Sequence, residues 1–535
     1  MAVCKLQYYQ SYFSYYTNQT SNNASVNTYF NPFDDQHYSG GVINSAYAPV
    51  SSDDISYDSS TGRVTFSNSG TYAVIFNPSL NLIADGGSGQ GFVDARIAVN
   101  GSTVLDASGN NYYHNTSLTP RQHVFSCLVE VDSDDYLEVF VRTITTSRAL
   151  NSNSGTSLAI FRVVGSYGHI KYTGNDNGSN TSVLIGDNIG AGKVTVLTGS
   201  AMTYSSNVFT PPSGAKKYLM FSSISAQQQT GGTEIPLDID MLEGGSEIGD
   251  STLSVQSNQD PYVLAFSLLN EFDGTQTAIS RITTPATNSF ILNKATTFSL
   301  IDISTEEAVT GAFLSLSCNN DSNGLGSGDQ NCFDDSNWTS LSVTNHVTAS
   351  GITYTSSNGK FTVENAGIYL FICHLVVDHT TTSDISFYVK QEGTEIYSNA
   401  YSLNPNWTPR DLSIAIVVNC SASDEFEFGI KGGAAGTIFN AGSSISIFKI
   451  NYGTLPALDL SGRGLTLATE TTPQAQIADD FDLKTFDIDT LTPQRSRLTD
   501  QVPFVLGVPG PLSLRGRCFG GTEEPPIVKP GDKKN

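Results

Sequence analysis

Gly186-Asp187-Asn188-Ile189-Gly190-Ala191-Gly192-Lys193 ends like a phosphate-cradling loop, whose chemistry is to wrap backbone N–H groups and one lysine around a nucleotide's phosphates. Two positions break the pattern. Asp187 stands where the first glycine belongs, and Val194 replaces the Ser or Thr that holds magnesium. Gly86-Gly87-Ser88-Gly89-Gln90-Gly91 lies between expected strands, not at a strand-to-helix turn, and reads as a loop. Cys373-His374 with Asp378-His379 is the densest set of nucleophilic and metal-binding residue types, but the two histidines fall at opposite ends of one strand-like run. Asp53-Asp54 and Asp132-Ser133-Asp134-Asp135 carry the oxygen ligands calcium prefers, in stretches that equally suit solvated turns. No G-x-S-x-G or H-E-x-x-H occurs, and nothing marks a carboxylate pair for glycoside hydrolysis. The expectation is no enzyme, no cofactor and no catalytic, cofactor-binding or metal-ligating residue.

The elements around these residues have the composition of strands and turns. Only 15% of the 535 residues are charged, while 24 Tyr and 28 Phe accompany abundant Ser, Thr, Asn and Gly. Such a length calls for several domains. Lys and Arg number 27 against 51 Asp and Glu, a net charge of -24, which repels phosphate backbones and anionic membranes; no nucleic-acid or membrane partner is expected. The seven cysteines are widely spaced, with no zinc ligand set. Cys127 and Cys373 sit in apolar runs as buried thiols, whereas Cys318 and Cys332 would close one loop in an oxidising compartment. Met1 begins a stretch without the apolar run of a signal peptide, and no run approaches membrane-span length. Synthesis in a cytoplasm without secretory export is the expectation.

The chain repeats itself. Residues 55–72 read ISYDSSTGRVTFSNSGTY and residues 352–369 read ITYTSSNGKFTVENAGIY. Ile55 and Tyr57 alternate as one strand, Gly62 supplies positive φ in a hairpin turn, and Val64 and Phe66 alternate as the next strand. Gly70 is read as a break before a long apolar strand opened by Tyr72. Downstream, 95–101 corresponds to 387–393. Thr119-Pro120-Arg121 recurs as Thr408-Pro409-Arg410, 135–141 matches 424–430, and Ile160-Phe161-Arg162-Val163 matches Ile447-Phe448-Lys449-Ile450. A worn copy lies between them. It is marked by 202–210, Gly214 and Tyr218, by 237–242 running into Gly244-Gly245, and by 297–303.

These residues resemble the tumour necrosis factor and complement globular-head jelly-roll family. The resemblance rests on Tyr57, Gly62-Arg63, Gly70-Thr71-Tyr72 and Asn100-Gly101, with Asp134-Asp135-Tyr136-Leu137-Glu138-Val139 in place of the family's Gly-Asp strand. It implies an all-β chain of three tandem antiparallel jelly-roll sandwiches. The domains are expected at 1–165, 166–305 (the diverged copy) and 306–452, followed by an extended C-terminal arm at 453–535. It also implies homotrimer packing, with Tyr72, Phe161, Tyr369 and Phe448 as core or interface residues.

The arm reading comes from composition. Residues 453–535 hold nine of the chain's 20 prolines, a density that forbids regular helix or central strand. Apolar groups persist between them, and Phe481, Leu483, Phe486, Ile488, Phe504 and Leu506 are candidate anchors for docking on neighbouring subunits. The function expected is that of a virion structural protein of a phage or large DNA virus: a minor capsid, cement or decoration protein contacting other virion proteins. A receptor- or glycan-binding fibre or spike is one alternative, for which Trp338 and Trp407 are the only tryptophans available to stack on sugar. A secreted complement-like lectin or cytokine is another.

Overall fold

The computed structural model describes residues 11–450 apart from 18, 22–26, 40–49, 85–89, 108–111, 116–120, 145–147, 176–180, 188–192, 200, 229–234, 256–261, 285–288, 305–311, 324–325, 327, 339, 380–382, 404–409 and 433–436, together with 459–460 and 465–466. The chain divides into two compact units, 9–452 and a second made of 1–8 with 453–535. In the second, the described part is one antiparallel pair, Asp459–Leu460 with Leu465–Thr466. The proposed anchors Phe481, Leu483, Phe486, Ile488, Phe504 and Leu506 lie outside the described residues, as do Cys4, Cys518, Thr119-Pro120, Trp407 and Thr408-Pro409.

The unit 9–452 is all-β and antiparallel. Among the described residues, two single-turn 3-10 helices, Asp35–His37 and Asp335–Asn337, interrupt the strands, and no helix is long and apolar enough to cross a membrane. Strand pairing closes within 12–163, 167–302 and 313–449. The second and third of these modules are two-sheet sandwiches, and the first adds to its two main sheets a three-stranded one of Arg121–Gln122, Ser79–Ala84 and Arg148–Ser152. In the first module the inner sheet runs Phe125–Val131, Gly70–Asn77, Ser157–Val163, Tyr12–Tyr16 and Val50–Ser51. We call the first four the edge, central, closing and leading strands. Their counterparts are Tyr262–Phe272, Lys216–Gln228, Thr297–Asp302 and Tyr167–Tyr172 in the second module. In the third they are Arg410–Cys420, Gly367–His379, Ser444–Lys449 and Phe313–Cys318. The outer sheet of the first module orders Ile55–Asp58, Arg63–Phe66, Tyr136–Thr143, Gln90–Val99 and Ser102–Asp106, and the other two modules repeat that order.

The middle module declares its kinship at one turn. Asn100-Gly101, Gly244-Gly245 and Glu392-Gly393 all carry two consecutive positive φ values (50 and 73, 56 and 86, 51 and 73°), which makes the mirror-image hairpin turn that matches strand twist. Each turn is preceded by a register shift, between Ile97 and Ala98, Met241 and Leu242, and Val389 and Lys390. Gly70 is not the break expected of it. It starts the central strand opposite Val131, and a Cβ there would lie 2.9 Å from Arg162 Nε, so the glycine serves close approach.

Burial explains why the central strands read as unbroken apolar runs. A strand covered on one face alternates, as Arg63–Phe66 does with Val64 and Phe66 inward. The central strand of the third module is buried at almost every position. Tyr369, Phe371, Cys373, Leu375 and Val377 face its own sandwich core, while Ile368, Leu370 and Ile372 face a separate apolar cluster shared by all three modules. Gly70–Asn77 divides the same way, Tyr72, Val74 and Phe76 to one side, Ala73 and Ile75 to the other. The inner sheets therefore bury both faces, one within the module and one against its siblings.

Candidate functional site

The feature the fold assembles is this central cluster and the three seams that radiate from it. Structurally equivalent residues come together: Leu128, Leu269 and Val417 from the edge strands, and Phe161, Ile301 and Phe448 from the closing strands. Phe161 and Phe448 meet edge to face at 5.9 Å between centroids. Burying side chains of this size stabilises by about 1.5–3 kcal/mol each.

Each seam adds its own polar bonds. Between the first and second modules, Ser126 Oγ and Thr297 Oγ1 are 3.0 Å apart, Ser223 Oγ donates to Val124 O at 2.5 Å, and Lys294 Nζ meets Asp106 at 3.1 Å. Between the second and third, Ser267 Oγ lies 3.0 Å from His374 Nε2, and the Leu269 N–H donates to Ser315 Oγ at 3.0 Å. Between the third and first, the Val417 N–H donates to Ser14 Oγ at 3.1 Å, and Ser79 Oγ donates to Asn399 Oδ1 at 2.8 Å. At the position of Ser14 and Ser315 the second module has His169. It is buried, with Nδ1 2.9 Å from Ser299 Oγ and no hydrogen-bond partner at Nε2. Burial, then the nearby Lys171 charge, pushes His169 down to about 3. A cavity of about 10 Å³ lies beside this seam, lined by residues that include Ile75, Ser126, Phe221 and Ser299. It has room for one water at most.

The residues singled out from sequence separate cleanly. Phe161 and Phe448 lie in the cluster between modules, whereas Tyr72 and Tyr369 belong to the cores of the first and third sandwiches, donating their hydroxyls to Asn68 O (3.1 Å) and Asn365 O (2.7 Å). His374 reaches the seam and also bonds Ser413 Oγ at 2.8 Å, while His379 is buried at the far end of the same strand. Cys318 and Cys332 are free thiols in the third core, and burial, helped by the neighbouring Cys318 and Cys373, holds Cys332 well above the ordinary thiol value. The acidic loops are turn scaffolding. Asp135 accepts from the Asp132 N–H at 2.7 Å, and Asp54 accepts from Ser52 and Asn68. Gly186 and Asp187 pack against the second module's hairpin, accepting from Tyr204 OH (3.0 Å) and Asn207 Nδ2 (2.7 Å). Trp338 is 5% exposed and donates Nε1–H to Cys332 O at 2.9 Å, so its ring presents no face to a sugar.

Sequence reasoning missed a second repeat, Asn31-Pro32-Phe33-Asp34-Asp35 and Asn331-Cys332-Phe333-Asp334-Asp335, in which identical spacing was the available signal. Asn31 and Asn331 each donate to the hairpin glycine carbonyl, Gly62 O at 2.9 Å and Gly359 O at 3.0 Å. Each asparagine also accepts from the phenylalanine N–H two residues on, at 3.0 Å. Tyr57 and Tyr354 donate their hydroxyls to Phe33 O and Phe333 O. The segment is a plug that locks the first hairpin of its module.

No protein-family model and no curated protein matches the chain. Among solved structures, murine APRIL is similar at 15% identity over 26% of this chain and 98% of its own, with a TM-score of 0.20. A Sulfolobus Turreted Icosahedral Virus structure is similar at 10% identity over 82% of this chain and 99% of its own, TM-score 0.16. An archaeal-virus protein described by its triple jelly roll fold and turret assembly matches at 10% over 80% and 97%, TM-score 0.15. At these scores the likenesses carry no argument about function.

Proposed function

We propose that this chain is a virion structural protein, of the minor capsid, cement or decoration kind. The observation that carries the reading is the fusion of three sandwiches into one block around an apolar cluster. With their inner faces packed on one another, the three sandwiches move as one body, which suits a building element of a shell. Val164, 45% exposed, is the single large hydrophobic side chain standing out from the surface among the described residues. Contacts with neighbouring virion proteins would therefore be polar on the sandwiches, with apolar docking left to the arm at 453–535. Quantitative mass spectrometry of purified virions from the source of this sequence tests the role. Stoichiometric copies are expected, and complete absence refutes it. Deleting 453–535 should leave the β circular dichroism unchanged while abolishing incorporation; normal incorporation would remove the anchoring role.

A further inference from the structure

We propose that the chain closes a three-fold ring on itself, so that one polypeptide is a complete trimer equivalent and its inner sheets are not the surfaces by which copies join. The seams run in one direction. The edge strand of the first module lies against the leading, central and closing strands of the second; the second's edge strand lies in the same way against the third; the third's lies against the first. This is a head-to-tail contact in which the docking patch and its receptor differ, and such a contact forms a ring only if it returns to its start. Here it returns after three steps, within 9–452. Every copy of both patches is covered by a sibling module, and none remains open for another chain.

The chemistry of the seams also tells one neighbour from another. A ring of identical subunits would repeat one polar pair three times. In this ring the second and third seams share one bond, Leu269 N–H to Ser315 and its equivalent Val417 N–H to Ser14, but Ser126 with Thr297 belongs to the first seam and Ser267 with His374 to the second. Each pair is buried, so placing a module against the wrong neighbour strands a polar group without its partner. Modules free to exchange between chains would lose that matching.

The test uses the native full-length protein. Lys294 and Asp106, from different modules, are 3.1 Å apart, within reach of a zero-length carbodiimide link. After cross-linking, chains are resolved by mass on a denaturing gel and the joined peptide is sought in each band, alongside sedimentation equilibrium of the untreated protein. The joined peptide in the band of a single 57.2 kDa chain is the expected result, with sedimentation at that mass. Its recovery only from multi-chain bands would show the seam to be made between copies and overturn the proposal, as would its absence from all bands. A second pair, Ser14→Cys with Val417→Cys, probes the closing seam. An intrachain disulfide supports closure, and disulfide-linked multimers refute it.

Discussion

At the scale of single residues, the third seam lacks a hydroxyl that the other two have. Ser126 and Ser267 occupy one edge-strand position, paired to Ile75 and Phe221 of their central strands; the third module has Ala415 there, paired to Ile372. In the first seam that serine bonds Thr297 of the neighbour's closing strand. The residue equivalent to Thr297 in the first module is Ser157, beside Asn77 on the central strand. Ser157 Oγ and both polar atoms of Asn77 are buried without a hydrogen-bond partner. An unsatisfied buried polar group costs about 1–3 kcal/mol. Ala415→Ser restores the missing hydroxyl and should raise the unfolding free energy by about 1 kcal/mol in urea titration. A drop in stability would mean that the added oxygen crowds the seam without reaching Asn77 or Ser157. None of this was legible in the linear sequence, because the partners of Ala415 lie in another module.

At the scale of elements, the hairpins were the most readable part of the chain. A turn residue at fixed spacing acts locally, so Tyr57, Gly62 and Gly70 announced the same strands that Tyr354, Gly359 and Gly367 build in the third module. The plugs escaped notice because asparagine, phenylalanine and aspartate acquire meaning only when a hairpin brings its glycine carbonyl within reach. The mirror-image turns yield a prediction at this scale. Glu392 is held at φ 51°, a region that favours Asn and Gly, and its Oε1 accepts from the Glu425 N–H at 2.6 Å. Asn100 makes the same turn and accepts from the equivalent Tyr136 N–H at 3.0 Å. Glu392→Asn therefore keeps the bond and relieves the backbone, and it should stabilise the third module by about 1 kcal/mol in thermal or urea unfolding. Equal or lower stability would place the gain in the glutamate's longer reach instead.

At the scale of the whole molecule, the sequence revealed three similar sandwiches but not that their inner sheets face one another. Phe161 follows the short apolar run Leu158-Ala159-Ile160, and Phe448 stands in Ser-Ile-Ser-Ile-Phe-Lys, an alternation that reads as one covered face; neither run names what covers the second. Closing the ring has an electrostatic consequence that can be measured. His169, on the second module's leading strand, is driven down to about 3 by burial, reinforced by Lys171. His346, bonded through Nε2 to Ser317 at 2.9 Å and lying beside Gly249 of the second module, is driven down to about 4, again by burial. Unfolded, both would take up a proton near the ordinary histidine value of about 6.5. Between there and their folded values the unfolded chain binds protons that the folded chain refuses, so the stability they contribute is full above about pH 6.5 and is lost as pH falls towards 4 for His346 and 3 for His169. Each contributes a slope on the order of 1.4 kcal/mol per pH unit inside its window. Asp240, Glu247 and Asp250, raised chiefly by burial, act in the opposite sense, since a raised carboxyl gains stability on acidification. The histidine share is isolated by difference. His169→Gln carries no proton at any of these pH values, so urea unfolding of the variant from pH 7 to pH 4.5 should show an acid slope shallower by roughly 1.4 kcal/mol per unit than that of the parent. Parallel curves would mean that the proton reaches His169 without opening the seam.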